Sequence, residues 1–259
     1  MNFLIPFIAL AAIMTGSSQG VVTERVEYKY DGATLVGYLA YDAGISELRP
    51  GVLIVHEWWG LNDYPKSRAE QLAKLGYVAF AVDMYGDGAV AASAEEAGKM
   101  AGAVRGDVAL TRGRINAALD VLRARSQVDP KRIAAIGYCF GGGVALELAR
   151  SGADVAGVVS FHGSLSTTAP AAEGNIKAKV LVLHGADDPN VPMEQVTAFE
   201  DEMRAAGADW EMVFYGGAVH GFTNAANGDD PSKGVAYNAS ADKRSWQAML
   251  SFFDEIFGK

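Results

Sequence analysis

Residues 137–143 read Gly-Tyr-Cys-Phe-Gly-Gly-Gly. They follow an apolar run, Ile133-Ala134-Ala135-Ile136, and open a second with helical spacing, Val144 to Ala149. A strand that turns sharply into a helix has no room for side chains beside the apex, and Gly137 and Gly141 leave that room. The pattern is Gly-x-Cys-x-Gly, a cysteine version of the nucleophile elbow, which lifts the apex side chain above the sheet. The apex also lies at a helix N-terminus, which favours negative charge. Cys139 is the one cysteine of the chain, so no internal disulfide competes for it. A lone cysteine is most often a small buried apolar residue. Here the flanking glycines and the strand-to-helix switch favour a nucleophile.

A free thiol, with a pKa near ~8.5, is mostly protonated at neutral pH and needs a base; a base histidine needs a carboxylate to fix its tautomer. Hydrolytic α/β sheets present these groups in the order nucleophile, acid, histidine. The segment His184-Gly-Ala-Asp187-Asp188-Pro-Asn-Val-Pro192 follows a buried apolar run and supplies the acid. The segment Gly216-Gly-Ala-Val-His220-Gly-Phe222 follows the last strand and supplies the histidine. The separations are 49 residues (139 to 188) and 32 (188 to 220), each room for one βα unit. Asp188 is the favoured acid, with Asp187 the alternative; either could instead be a loop or cap carboxylate. His184 and His162 end strands, where packing or hydrogen bonding in the core is the simpler role. His56 and Glu57 are adjacent, so on a strand they point to opposite faces and make a poor metal pair.

Acyl transfer develops an oxyanion that needs two N–H donors, one after the nucleophile and one from the loop after an early strand. These are expected from Phe140 and from Trp58 in His56-Glu57-Trp58-Trp59-Gly60. Glu57 puts a charge at the mouth of a buried strand, which is costly without a partner. It is either a salt-bridge or capping group, or a carboxylate beside the thiol. Trp59, Tyr138, Phe222 and Asn224 are the candidate substrate contacts.

The elements that must position these residues alternate. Asp31-Gly32 joins the strands Glu24–Tyr30 and Ala33–Tyr41 as a hairpin. Continuous apolar runs at 51–55, 77–82, 133–138, 155–161 and 180–184 read as strands buried on both faces. Trp210–Tyr215 is a further strand. Helices are predicted over Pro65–Leu75, Ser93–Ala103, Val108–Arg125, the segment holding Val196, Phe199 and Met203, and Ser240–Phe257. This order predicts an α/β fold: a mainly parallel twisted sheet of about eight strands, helices on both faces, and an antiparallel N-terminal edge. A site in such a sheet lies beyond the carboxyl ends of the strands. The irregular stretches 87–92 and 224–233 are candidates for mobile rim loops.

Composition narrows the partners. Half of the 259 residues are hydrophobic and the net charge is −9, which disfavours nucleic acid and anionic membrane. Phe3–Met14 is apolar throughout, too short to span a bilayer but suited to a signal-peptide core, although its n-region has no Lys or Arg. Residues 1–20 are therefore expected to be a signal peptide, with a membrane anchor as the lesser alternative. Residues 21–259 are expected to form a single domain. The expected protein is periplasmic or secreted and monomeric. It has no stable membrane association after cleavage. The rival from another class is a non-catalytic periplasmic binding or redox-sensing protein using its reactive thiol.

Val55-His56-Glu57-Trp58-Trp59-Gly60, Ala81-Val82-Asp83-Met84-Tyr85, Gly137-Tyr138-Cys139-Phe140-Gly141-Gly142, Asp188-Pro189-Asn190-Val191-Pro192 and His220-Gly221-Phe222 together resemble the dienelactone hydrolase family of α/β-hydrolases. The resemblance covers about residues 22–258. It implies a Cys139–His220–Asp188 triad and a Glu57 that touches the resting thiol until substrate displaces it. It also implies opening of enol-lactones such as dienelactone to maleylacetate with no metal or cofactor, and so a small ester or lactone as substrate. Two departures stand out. Asn224 occupies the place, four residues after His220, where the best-known enzymes have a carboxylate-binding arginine. A second such arginine has no aligned counterpart, with Lys99 or Arg105 the candidates to replace it.

Overall fold

The computed structural model describes residues 20–258, so the expected signal segment lies almost wholly outside the described residues. The chain opens with β1 (Val21–Tyr30) and β2 (Ala33–Asp42), antiparallel from Val21↔Asp42 to Tyr30↔Ala33. Asp31 and Gly32 both have positive φ, 47° and 78°, as a two-residue type I′ hairpin requires. There follow β3 (Arg49–Val55), α1 (Asp63–Lys74), β4 (Val78–Val82), α2 (Ala94–Arg105), α3 (Val108–Arg123), β5 (Val128–Tyr138) and α4 (Phe140–Arg150). The remainder is β6 (Gly157–Phe161), β7 (Lys179–Gly185), α5 (Met193–Ala206), β8 (Trp210–Tyr215) and α6 (Ala239–Phe257).

These strands form one eight-stranded sheet in the order β1-β2-β4-β3-β5-β6-β7-β8. It is parallel from β4 to β8, and β2 pairs antiparallel with β4, so the N-terminal hairpin forms the antiparallel edge. Alternation along each central strand divides the core. Leu53 and Val55 face a layer of α2, α3, α4 and α5, with Ile115, Leu119, Leu148 and Phe199. Val52 and Ile54 face α1 and α6, with Leu72, Met249, Phe252 and Phe253. Strands covered on both faces have no polar side, which explains their unbroken apolar sequence.

Some boundaries differ from the sequence reading. Asp129-Pro130, expected as a turn, lies inside β5; Arg49 pairs with Val128, and the register then shifts before Gly51 pairs with Ile133. The shift absorbs a proline that could not donate to a regular ladder. The two irregular stretches are hydrogen-bonded. Val90 bridges Gly60, Ala91 N–H donates to Trp59 O, and short 3-10 turns occupy Ala225–Asn227 and Pro231–Lys233.

Asp83, immediately after β4, is fully buried and accepts four backbone N–H bonds at 2.8–3.0 Å, from Val36, Tyr85, Gly86 and Gly88. Such a carboxylate replaces water for four amides and fixes how the chain leaves the strand. It thereby delivers Tyr85 to the site.

Candidate active site

Parallel strands β3, β5, β6 and β7 end together, and the loops beyond them carry the chemistry. Cys139 stands between β5 and α4 with φ 54° and ψ −114°, a strained conformation for a side chain other than glycine. The glycines around it are sterically required. A Cβ on Gly137 would sit 1.9 Å from Gly141 O, and one on Gly141 2.3 Å from Val55 O. A Cβ on Gly142 would meet Ser160 Oγ at 2.6 Å.

Cys139 Sγ lies 3.0 Å from His220 Nε2, and His220 Nδ1 lies 2.8 Å from Asp188 Oδ2. The Asp188 side chain is wholly buried, and its second oxygen accepts the Asn190 N–H at 2.8 Å. Asp187, the alternative acid, is exposed and accepts from Gly217 N–H instead, so it bonds the turn and not the imidazole. Burial pushes the His220 pKa down, but the charge on the Cys139 sulfur and the bond to Asp188 outweigh it. The imidazole is raised from 6.5 to about 10. The raised imidazole lies within hydrogen-bonding reach of the sulfur.

The loop after β3 turns through Glu57–Gly60. Among the described residues, neither Trp58 N–H nor Phe140 N–H donates to an acceptor in any loop, turn or cap. His56 is fully buried. Met84 N–H donates to its Nε2 at 3.2 Å, so its proton sits on Nδ1 and points at Glu57 O, 2.5 Å away. Burial holds its pKa down at about 4, and its ring stacks on Phe140 at 5.6 Å. His56 is thus a neutral spacer.

Glu57 differs from the implied arrangement. Its Oε2 accepts a 2.6 Å hydrogen bond from Asn224 Nδ2, and among the described residues no hydrogen bond joins it to Cys139. The expected contact with the resting thiol is therefore corrected: the thiol is on His220 and the carboxylate is on Asn224. Burial raises the Glu57 pKa, while Asn224 and the charge of His220 oppose the rise.

Two expected substrate contacts are also corrected. Tyr138 and Phe222 are fully buried in the α1–α6 layer, Tyr138 stacked on Phe161 at 4.7 Å, so neither is open to a ligand. Tyr138 points away because it precedes the apex by one residue and faces the opposite side of the sheet. Trp59 is partly exposed, beside Trp58 at 5.1 Å between ring centres. His184 is buried against Phe214 and, among the described residues, its Nδ1 has no hydrogen-bond partner, so the hydrogen-bonding core role expected of it gives way to packing.

Sequence reasoning gave no role to Tyr85. Its hydroxyl donates to Trp58 O at 2.9 Å, bracing the loop after β3, and its pKa is raised by burial and by the charge of Cys139. The signal was available, since Tyr85 closes the Asp83-Met-Tyr segment at a strand end. A cleft of about 330 Å³ borders Phe140. Arg105, Val144, Ser164, Ser166 and Thr168 help line it, and Cys139 itself does not. The Arg105 guanidinium lies 5.8 Å from the Phe140 ring centre, whereas Lys99 is exposed and outside the cleft. No group of three or more metal-binding side chains clusters among the described residues.

Comparison with known proteins agrees with this geometry. A family model described as the dienelactone hydrolase family matches residues 35–257. A crystal structure described as a dienelactone hydrolase-like promiscuous phosphotriesterase, P91, from metagenomic libraries shares 42% identity at a TM-score of 0.85. That match covers 92% of this chain and 99% of the other. A solved structure named m3DLH shares 41% identity at a TM-score of 0.87, with the same coverage of 92% and 99%. An Aquifex aeolicus protein provisionally named a carboxymethylenebutenolidase is 27% identical, over 89% of this chain and 97% of its own. With its sheet, its elbow and its order of site residues, the chain belongs to the dienelactone hydrolase family of α/β-hydrolases, enzymes that cleave ester and lactone bonds.

Proposed function

We propose that this chain hydrolyses a small carboxylic ester or lactone through an acyl-enzyme on Cys139. The observation that carries the reading is the continuous contact Cys139 Sγ–His220–Asp188, at 3.0 and 2.8 Å. The sulfur attacks the carbonyl carbon, and Trp58 and Phe140 N–H groups take the oxyanion. The C–O bond breaks and His220 gives its proton to the departing oxygen. Water then attacks the thioester, His220 accepts a proton from it, and the C–S bond breaks to free the acid. Asp188 holds the imidazole in the required tautomer throughout.

The cleft beside Phe140 is the proposed seat for the rest of the substrate, and Arg105 is its cation for a carboxylate. Asn224 is occupied by Glu57, so it is not the second anchor. Residues 1–20 act as an export signal in this proposal, and the enzyme works as a monomer in the periplasm or outside the cell. Among the described residues, no helix is long and apolar enough to cross a membrane.

The test is turnover of p-nitrophenyl acetate and dienelactone by wild type and Cys139→Ala. Activity on either that disappears in the variant supports the reading; equal activity in both removes it. A second reading, cleavage of phosphotriesters, is favoured by the 42% identity to the phosphotriesterase P91. There the sulfur would attack phosphorus and expel an aryloxide, and paraoxon turnover by the same pair of proteins tests it.

A further inference from the structure

His162 is a buried titratable side chain that the proposed chemistry does not use. It follows β6, which lies beside β5, and it is fully buried with φ 39°. That backbone conformation favours glycine, so a histidine is held there at a cost that a glycine would avoid. The next residue, Gly163, is glycine. The imidazole, not the backbone, accounts for the residue.

Its two nitrogens join two loops of the site. The Cys139 N–H is shared between Phe161 O at 3.0 Å and His162 Nδ1 at 3.1 Å. A backbone N–H can only donate, so Nδ1 accepts and the ring proton lies on Nε2. Nε2 then donates to Thr223 Oγ1 at 2.7 Å, three residues beyond His220. Thr223 is held from the other side. Tyr64 Oη lies 2.6 Å from its hydroxyl, and Arg68 donates to its carbonyl at 2.9 Å and to Asp242 at 2.7 Å. The His162 ring also meets the His220 ring edge-on at 5.5 Å and Phe222 at 5.0 Å. Burial, and then the charge of His220, hold its pKa well below 6.5, so one nitrogen stays free to accept.

We propose that His162 is a positioning residue that ties the Cys139 turn to the His220 loop through Cys139 N–H and Thr223 Oγ1, holding sulfur and imidazole in reacting register. This rests on Cys139 being the nucleophile. A displacement of about 1 Å between reacting groups can cost about 100-fold in rate.

The test compares His162→Phe, which keeps a ring but no acceptor, with His162→Asn, whose Oδ1 can accept the Cys139 N–H. Full-length protein is assayed with p-nitrophenyl acetate and by alkylation of Cys139 with iodoacetamide. For His162→Phe, kcat and the alkylation rate should fall about tenfold or more while KM stays within about twofold. His162→Asn should recover most of the loss, to within about threefold of wild type. A folded His162→Phe with wild-type kcat, or a His162→Asn as slow as His162→Phe, overturns the role. If His162→Phe does not fold, Thr223→Val decides: a loss of about tenfold in kcat at constant KM supports the role, and no loss overturns it. Cys139→Ala separates the two levels. If that variant is inactive and the His162 and Thr223 variants are not impaired, only the positioning role fails.

Discussion

Asn224 Nδ2 donates to Glu57 Oε2 across 2.6 Å, joining the loop after β8 to the loop after β3 over 167 residues of chain. The bond satisfies a carboxylate that is otherwise buried without a partner. It also leaves the thiol to His220. A neutral amide at this place thus has a structural job in the site, which an arginine reserved for substrate would not do.

Removing the amide exposes that job. Asn224→Ala is expected to cost about 1–3 kcal/mol, the usual penalty for an orphaned buried acceptor. The loss should be larger at pH 8 than at pH 4, because the amide N–H serves the ionised carboxylate and raising the pH favours that form. Urea unfolding at the two pH values measures it. Equal losses would mean that Asn224 does not serve the ionised form.

Glu57 itself should make stability fall as pH rises. Its folded pKa is raised by burial, so above the unfolded value the native state binds the extra proton and loses stability through that window. Glu57→Gln can still accept from Asn224 and has no charge to bury. It should gain on wild type in ΔG as pH goes from 4 to 8. A constant difference between the two proteins would contradict this assignment.

His220 carries the opposite sign. Its folded pKa of about 10 lies above the ordinary 6.5, so its stabilisation is complete below about 6.5 and is lost as pH rises through 10. The largest upward cause is the charge on Cys139. In Cys139→Ala the imidazole should therefore titrate well below 10, by NMR of the ring protons. An unchanged midpoint would show that the sulfur does not hold the proton on His220.

The elbow tolerates no side chain at Gly137, because a Cβ there would overlap the Gly141 carbonyl at 1.9 Å, backbone against backbone. Gly137→Ala should cost about 3 kcal/mol or more, or give insoluble protein. Gly102→Ala, where a Cβ meets nothing within 4 Å, is the matched control and should be neutral or mildly stabilising. Thermal unfolding of the two variants checks the contrast.

Much of this was legible in the order of residues. Unbroken apolar runs marked the central strands, because burial on both faces leaves no polar alternation to hide them. Gly137 and Gly141 marked the elbow, because steric exclusion is absolute there. Asp188 and His220 followed from chain order and loop position. The hidden parts depend on how side chains meet across loops far apart in sequence. Nothing in Glu57 or Asn224 alone says that they pair. Tyr138 and Phe222 sit beside reactive residues in the chain, yet a one-residue offset at a strand end turns Tyr138 to the opposite face. Sequence position alone favours packing for His162, and its burial fits, but its bond to the Cys139 N–H depends on the adjacency of β5 and β6.

The most direct measurement is acid-quenched mass spectrometry of enzyme mixed with p-nitrophenyl acetate. An acyl-enzyme on Cys139 predicts one acetyl group on the peptide that holds residue 139, gained by wild type and absent from Cys139→Ala. It also predicts that kcat in the variant falls by about a thousandfold or more. Full turnover by Cys139→Ala, or an acetyl group carried on a different residue during turnover, would contradict it.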